Sequence, residues 1–295
     1  MIDLKQLEGK TVTITGGTGL IGTALLKSLE NVNVSIFTPT HEHLERGYGI
    51  PQSDIIIHAA GYGQPALFMQ YPINTIKVNT EVTARLLQNL KPDGSFLFCS
   101  SSEVYNGLDK LCTEDDIGTT TPSHPRACYI EGKRCGEVIV NAFRAVNRRA
   151  FSARIAPTYG PGTRLHDTKA MSQFIESALI DKKIILKDSG RAIRTYGYID
   201  DVVEMLWNIV LNGTQPVYNV GGHSVITIAQ LAFWIGEMTG AEVIIPSDMP
   251  DQIGGSPIVK LDLSRYEEEF GKTEYVCMMQ GLSNTVAYQR KLYET

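Results

Sequence analysis

The sequence lacks the features of a secreted, membrane-bound or nucleic-acid-binding protein. Its five cysteines are odd in number and have no Cys-x-x-Cys spacing, which argues against a disulfide or zinc framework and predicts reduced thiols in a cytoplasmic protein. No apolar run reaches membrane-spanning length, and the first residues lack the apolar core of a signal peptide, so we expect no membrane association. The formal net charge of −5, without a basic run, argues against a nucleic-acid partner.

The sequence also contains no internal repeat and no low-complexity linker. Its 295 residues are 43% hydrophobic and 20% charged, ordinary values for a globular chain that forms one large domain or two smaller ones. We expect no metal site, because His41 and His43 lie two residues apart in a polar stretch that is more typical of a solvated loop.

The first distinctive feature is a glycine-rich turn at residues 16–22, between a predicted strand at 10–15 and a predicted helix that ends near Leu29. Gly16 permits a tight turn, Gly19 lets the backbone approach a pyrophosphate at the helix N-terminus, and Gly22 lets the helix lie close to the strand. The order of strand, turn and helix predicts a dinucleotide-binding site. We expect the cofactor to be contacted by Gly16, Thr18, Gly19, Leu20, Ile21 and Gly22.

The adenine end of this predicted site lacks the acidic residue that commonly binds the adenosine ribose. The second predicted strand is followed by Thr38, which we expect to contact the cofactor. No obvious arginine pair for a 2′-phosphate is present, so NAD and NADP both stay possible. Sixteen residues separate Phe37 from the next strand at Asp54, too few for a further helix and strand, which predicts a sheet trimmed at this edge. At the end of that next strand we expect cofactor contacts from His58, Ala59 and Ala60, with His58 more a structural than a catalytic residue.

Reactive side chains follow the fourth predicted strand and lie on the helix after it. Ser101, Ser102 and Glu103 lie where a parallel strand opens into a ligand crevice. Tyr129 and Lys133 are four residues apart on one helix face, so we expect the ammonium to lower the pKa of the phenol and make it a proton acceptor. The alternation of strands and helices predicts an α/β fold, a Rossmann-type doubly wound parallel sheet with a smaller C-terminal lobe.

Several stretches of the chain resemble the extended short-chain dehydrogenase/reductases of the NAD-dependent epimerase/dehydratase family, and within it most of all the UDP-glucuronate decarboxylases. These stretches are residues 71–75, 100–105, 125–134 and 194–201. We expect an NAD-binding Rossmann domain over residues 1–157 and a mainly nucleotide-sugar-binding lobe over 158–295, with about 195–222 returning to the Rossmann domain. The resemblance also implies a homodimer formed through the helices at roughly 73–90 and 126–147.

The resemblance implies a role for each reactive residue. Ser101 would hydrogen-bond the sugar 4-hydroxyl, Tyr129 would take its proton while NAD takes the C4 hydride, and Lys133 would hold the nicotinamide ribose. Glu103 falls on the catalytic glutamate of the decarboxylases and 4,6-dehydratases. Ser102 matches the decarboxylases, since dehydratases commonly carry an aspartate there. The expected substrate-binding residues are Ser102, Tyr159, Arg164 and Arg194, the last matching the arginine that meets the substrate carboxylate or diphosphate.

These residues favour decarboxylation of a UDP-hexuronate through C4 oxidation, loss of carbon dioxide and re-reduction. A 4,6-dehydratase and a 4-epimerase of the same fold are the alternatives, and a non-catalytic cofactor-sensing protein is the alternative of another class. The chain departs from the family at Pro157, where an asparagine is usual, and proline provides neither a side-chain amide nor a backbone N–H.

Overall fold

The computed structural model describes residues 2–146, 148–246 and 256–293. Its strands are β1 (Thr11–Thr15), β2 (Ser35–Phe37), β3 (Ser53–His58), β4 (Leu90–Ser101), β5 (Leu111–Cys112), β6 (Arg149–Ile155), β7 (Thr158–Tyr159), β8 (Lys183–Ile185), β9 (Ile193–Tyr198), β10 (Val217–Val220), β11 (Ser224–Thr227), β12 (Glu242–Ile244) and β13 (Ile258–Leu261). Its α-helices are α1 (Leu20–Ser28), α2 (His41–Arg46), α3 (Pro65–Gln70), α4 (Pro72–Asn79), α5 (Glu81–Gln88), α6 (Ala127–Arg144), α7 (Ala170–Ile180), α8 (Ile199–Asn212), α9 (Ile228–Thr239), α10 (Ser264–Phe270) and α11 (Met278–Tyr293). Short 3₁₀ turns span Leu4–Leu7 and Ser102–Tyr105.

Six parallel strands form the main sheet, in the order β10-β6-β4-β3-β1-β2. β2 is the edge strand, and the chain passes through the short helix α2 before β3 pairs with the other side of β1. The predicted Rossmann-type sheet, trimmed after its second strand, is therefore confirmed. Because all six strands are parallel, their carboxyl ends lie along one edge of the sheet, which is where ligands bind in such folds.

Helices cover both faces of this sheet and create two apolar layers. Helices α1 and α8 pack on one face, and α5 and α6 on the other. Side chains alternate between the two layers along β4, since Leu97 belongs to the first layer and Phe96 and Phe98 to the second. In the first layer Trp207 is fully buried and donates its indole N–H to Ser28 Oγ at 2.8 Å.

The helix expected near residues 73–90 is divided into α4 and α5 at Thr80. Thr80 has a ψ of −76° and donates its side-chain hydroxyl to the Ile76 carbonyl at 2.9 Å, and Thr83 donates in the same way to Asn79 at 2.8 Å. Threonine hydroxyls that bond the carbonyl four residues earlier bend helices, which accounts for the division.

The smaller lobe contains a second sheet with the strand order β11-β9-β13-β5, in which β9 also pairs with β7. Helices α7, α9 and α11 pack on one another beside it, and β8 and β12 form a separate two-stranded sheet. The expected domain boundaries stay a prediction. Of residues 195–222, α8 and β10 pack with the main sheet, whereas β9 lies in the smaller one. Over the described ranges, none of the helices combines the length and the apolar character needed to cross a membrane.

Candidate active site

A cavity of about 2080 Å³ lies between the carboxyl edge of the main sheet and the smaller lobe. Its lining contains predicted site residues that are far apart in the sequence. From the cofactor prediction these are Gly16, Thr18, Gly19, Leu20, Ile21, Gly22, Thr38, Ala59, Ala60, Tyr129 and Lys133. From the catalytic and substrate predictions they are Ser101, Ser102, Glu103, Tyr129, Lys133, Tyr159, Arg164 and Arg194. The structure therefore brings together all the predicted site residues except His58.

The glycine turn forms a cradle that a larger side chain would fill. Gly16 has a φ of +70°, and a Cβ there would lie 2.6 Å from the Ala59 carbonyl oxygen. A Cβ on Gly22 would lie 2.1 Å from the Gly16 carbonyl oxygen, so α1 can reach this position against the turn only with glycine. The turn leads directly into the N-terminus of α1 at the cavity wall, an arrangement that fits the pyrophosphate of a dinucleotide.

His58 lies outside this cavity, contrary to the expectation that it contacts the cofactor. Its side chain is fully buried under the sheet edge, with Nδ1 2.7 Å from Thr15 Oγ1 and Nε2 2.9 Å from the Val78 carbonyl oxygen. Burial lowers its pKa to about 4, so the ring is neutral at physiological pH. The Thr15 hydroxyl in turn accepts the N–H of Ala60. The His58 side chain therefore stabilises the carboxyl ends of β1 and β3 and does not line the cavity.

The adenine end of the cavity presents an exposed Thr38 and no acidic residue at the end of β2. The nearby Arg85 is already engaged, because its guanidinium donates to the carbonyls of Leu44 and Glu45 and pairs with Glu81 at 3.0 Å. The Arg85 guanidinium is therefore not free to bind a 2′-phosphate at this end of the cavity.

The catalytic residues expected after β4 lie in the 3₁₀ turn that ends this strand. The Ser101 hydroxyl caps this turn by accepting the Glu103 N–H at 3.2 Å, and Ser102 is buried beside it. Glu103 forms an ion pair with Arg126, with Nη1 2.7 Å from Oε1. Its other oxygen, Oε2, is buried and has no hydrogen-bond partner among the described residues. Arg126 was not predicted as a site residue, although it stands three residues before Tyr129 in the family-like stretch 125–134.

Tyr129 and Lys133 occupy the first turns of α6 as expected, but their electrostatics differ from the expectation. Burial raises the pKa of Tyr129 to about 12, and the largest effects that lower it are a hydrogen bond with Ser101 and the charge of Arg126. The Lys133 ammonium donates to the Cys99 carbonyl at 2.6 Å and lies 5.7 Å from the centre of the Tyr129 ring. Burial lowers the pKa of Lys133 to about 8. The expectation that the Lys133 ammonium would lower the pKa of the Tyr129 phenol is therefore wrong for this arrangement, because burial raises that pKa and a backbone carbonyl holds the ammonium.

A buried polar network below the cavity joins α6 to the strands that carry the site. Glu137, one turn after Lys133, lies 2.5 Å from Ser100 Oγ and pairs with Arg154 at 2.8 Å. Arg154 also donates to the hydroxyl of Tyr105 at 3.0 Å. These contacts fasten the helix to the ends of β4 and β6. The sequence pattern contains no signal for them, because their partners come from distant elements.

The smaller lobe contributes the other predicted substrate residues. Arg164 reaches across the cavity and donates to the Thr18 carbonyl of the glycine turn. Burial lowers the pKa of Arg194, whose guanidinium donates to the Ile193 carbonyl at 2.7 Å. The hydroxyl of Tyr159 is buried without a partner among the described residues. Pro157 lines the cavity at the position where the family usually has an asparagine. Its backbone carbonyl accepts the Gly197 N–H at 3.1 Å, and this hydrogen bond holds the chain in place there.

Comparison with known proteins tests the resemblance. The model of the NAD dependent epimerase/dehydratase family matches residues 12–221. The chain belongs to this family. It is therefore an NAD-dependent enzyme of the epimerase/dehydratase type, and the sequence resemblance is confirmed.

Named relatives in this family are similar over most of their length. UDP-glucuronic acid decarboxylase 1 from Xenopus tropicalis is 30% identical, over 99% of this chain and 75% of the relative. UDP-glucuronic acid decarboxylase 3 from Arabidopsis thaliana is also 30% identical, over 92% of this chain and 86% of the relative.

Solved structures with the same fold include enzymes of other specificity. A UDP-glucose 4-epimerase from Thermotoga maritima, solved with UDP-glucose, has a TM-score of 0.82 at 22% identity, over 96% of this chain and 99% of the other. A UDP-glucuronic acid 4-epimerase from Bacillus cereus, solved with UDP-glucuronic acid and NAD, has a TM-score of 0.79 at 20% identity, over 96% of this chain and 100% of the other. At this identity the likeness is one of fold.

Proposed function

We propose that the protein is an NAD-dependent decarboxylase of a UDP-hexuronate, with UDP-glucuronate the first substrate to test. The observation that carries this proposal is the charge around Glu103. The Glu103 carboxylate is paired with Arg126 and also attracts the nearby guanidinium of Arg194. In the cavity lining, the cations Arg126, Lys133 and Arg194 outnumber the Glu103 and Asp188 carboxylates, and this excess of positive charge suits a substrate that carries its own carboxylate.

The proposed reaction begins with a proton transfer. Tyr129, which lies near Ser101, accepts the proton of the sugar 4-hydroxyl, and Lys133 holds the nicotinamide ribose. When bound, NAD would supply the acceptor for the C4 hydride and the donor for re-reduction. The resulting β-keto acid loses carbon dioxide, and the electron pair of the broken bond forms an enolate that fixed donors and cations stabilise. The enolate takes up a proton at C5, and the proton held by Tyr129 returns to the C4 oxygen during re-reduction. Ser102 provides no acid for a leaving hydroxyl, which favours this reaction over dehydration.

The remaining proposed contacts concern the nucleotide. Arg164 and Arg194 are proposed to bind the diphosphate or the carboxylate, and Tyr159, which lines the cavity, to contact the substrate. The glycine turn, Thr38, Ala59 and Ala60 are proposed to hold the cofactor.

Mass spectrometry of the products formed from a panel of nucleotide sugars with NAD tests this function. We expect UDP-glucuronate to lose carbon dioxide, and Tyr129→Phe and Glu103→Gln to abolish that loss. Glu131→Gln is the matched control. Glu131 lies on α6, the helix that carries Tyr129, and its carboxylate pairs with Arg134 outside the cavity. Loss of water from a neutral hexose nucleotide would instead indicate a dehydratase, and an isobaric product an epimerase. Absence of turnover on every sugar, with NAD bound, would indicate a cofactor-sensing protein.

We also propose that the protein is a cytoplasmic homodimer that forms through α4 and α6. These helices pack together, and the exposed apolar residues Ile73 (61%), Ile76 (40%) and Val138 (65%) lie on them. All five cysteines are free thiols, which supports the cytoplasmic location. Light scattering after size-exclusion chromatography tests the dimer, and Val138→Glu is expected to convert it to a monomer. A wild-type protein that elutes as a monomer at all concentrations would contradict the proposal.

A further inference from the structure

Arg126 contacts Glu103 and Phe68, and Phe68 in turn stacks on Tyr129, so Arg126 connects two of the proposed catalytic residues. Its Nη1 lies 2.7 Å from Glu103 Oε1, and the two side chains are only 19% and 21% exposed. Its guanidinium carbon lies 5.8 Å from the centre of the Phe68 ring. That ring stacks on Tyr129, with the ring centres 4.6 Å apart and the planes 14° from parallel. The guanidinium therefore lies between the carboxylate and the aromatic pair that contains the phenol.

We propose that Arg126 is a positioning residue of this active site, which fixes the Glu103 carboxylate through one oxygen and provides the positive charge beside the Tyr129 phenol. The second oxygen, Glu103 Oε2, is buried without a hydrogen-bond partner among the described residues, so the ion pair with Arg126 is the contact that orients this carboxylate. Lys133, the residue that the Tyr-x-x-x-Lys spacing suggests for the electrostatic role, is held by the Cys99 carbonyl.

Phe68 contributes to this arrangement by its place in α3. It is almost fully buried and contacts both the Arg126 guanidinium and the Tyr129 ring, so little water reaches these two contacts. Charges interact more strongly where water is excluded, because the effective dielectric constant is lower there. A cation at the face of an aromatic ring is also attracted by the ring itself, which favours the observed position of Arg126.

The charged and titratable groups that face this cluster come from four elements. They are Glu103 of the 3₁₀ turn, Lys133 of α6, Cys99 of β4 and Arg194 of β9, with the ring of His124 3.2 Å from the Arg126 backbone nitrogen. Glu103 and Arg126 act on the phenol in opposite directions, the first raising and the second lowering its pKa. Removing one partner should therefore shift the ionisation of Tyr129 one way, and removing the other should shift it the other way.

This inference rests on the proposed role of Tyr129 as the base, and its test does not depend on which sugar reacts. The Tyr129 phenol is titrated in the NAD-bound protein by ¹³C NMR of ring-labelled tyrosine, with the resonance assigned from Tyr129→Phe. We expect Arg126→Met to move the midpoint up by about one pH unit, as is usual for the loss of a nearby opposite charge. Arg126→Lys should restore most of this shift, and Glu103→Gln should move the midpoint down.

Lys91→Met is the control, because Lys91 forms an ion pair with Asp54, also at 2.8 Å, and both residues lie outside the cavity. It should lower stability without moving the Tyr129 midpoint. A second measurement follows reduction of bound NAD by UDP-glucuronate and UDP-glucose across pH. Because a base acts only when it is deprotonated, Arg126→Met should move the ascending, acid-side limb of the rate to higher pH, and Arg126→Lys should restore it. Unchanged midpoints in both Arg126→Met and Glu103→Gln would overturn the inference. Midpoints that shift as expected in a protein that reduces no NAD would preserve it and contradict only the proposed function.

Discussion

His58 should make the protein less stable as the pH falls from 6.5 towards 4. In the folded protein both ring nitrogens are engaged and burial holds the pKa at about 4, whereas the unfolded chain has the ordinary value of 6.5. Between these values the unfolded state binds the proton and the folded state does not, so the free energy of unfolding decreases as the pH is lowered. The interval from 6.5 to about 4, at about 1.4 kcal/mol per pH unit, corresponds to about 3 kcal/mol.

Urea denaturation at several pH values measures this loss in the wild type and in His58→Gln. The glutamine does not titrate, so the variant should lose stability at neutral pH but show a weaker dependence on pH in this interval. His41→Gln, at an exposed histidine, is the control and should keep the wild-type dependence. If His58→Gln showed the same pH dependence as the wild type, the account of His58 as a buried neutral residue would be refuted.

Three further predictions concern the cofactor site and its support. Gly22→Ala should destabilise the fold and abolish NAD binding in calorimetry, because its Cβ would lie 2.1 Å from the Gly16 carbonyl oxygen, whereas Gly63→Ala, with nothing within 4 Å, should do neither. Thr38→Asp should weaken the binding of NADP more than that of NAD, measured by calorimetry with both dinucleotides, because a carboxylate repels a 2′-phosphate; equal losses would contradict this. Glu137→Gln should lower the free energy of unfolding by about 3–5 kcal/mol in urea denaturation, since it leaves the Arg154 charge buried and unpaired, and a loss below about 1 kcal/mol would contradict the role of the network.

The parts of the site that could be predicted from the sequence depend on short-range patterns. The turn at Gly16, Gly19 and Gly22 and the four-residue spacing of Tyr129 and Lys133 are local, so the sequence contains their geometry almost completely. The trimmed sheet could be predicted from the length of the segment between Phe37 and Asp54, because its sixteen residues cannot form a further helix and strand.

The parts that could not be predicted depend on contacts between distant elements. The ion pair of Arg126 with Glu103 joins residues 23 apart in the sequence, and the stacking of Phe68 on Tyr129 joins α3 to α6. The direction of the Lys133 ammonium is decided by a β4 carbonyl that no spacing reveals. In each case the outcome depends on which partner is nearest in the folded protein, and tertiary packing determines this.

The two-residue strand β5 connects the N-terminal half of the chain to the second sheet. It comes from the N-terminal half of the sequence, yet it pairs with β13, so the second sheet needs both halves of the chain. The main sheet likewise takes its last strand, β10, from beyond residue 157. A cut after that residue would leave an open edge on β6 and an unpaired β5, and we expect each fragment alone to misassemble or aggregate. Fragments that are mixed and refolded together should complement one another, because each supplies the strand that the other lacks.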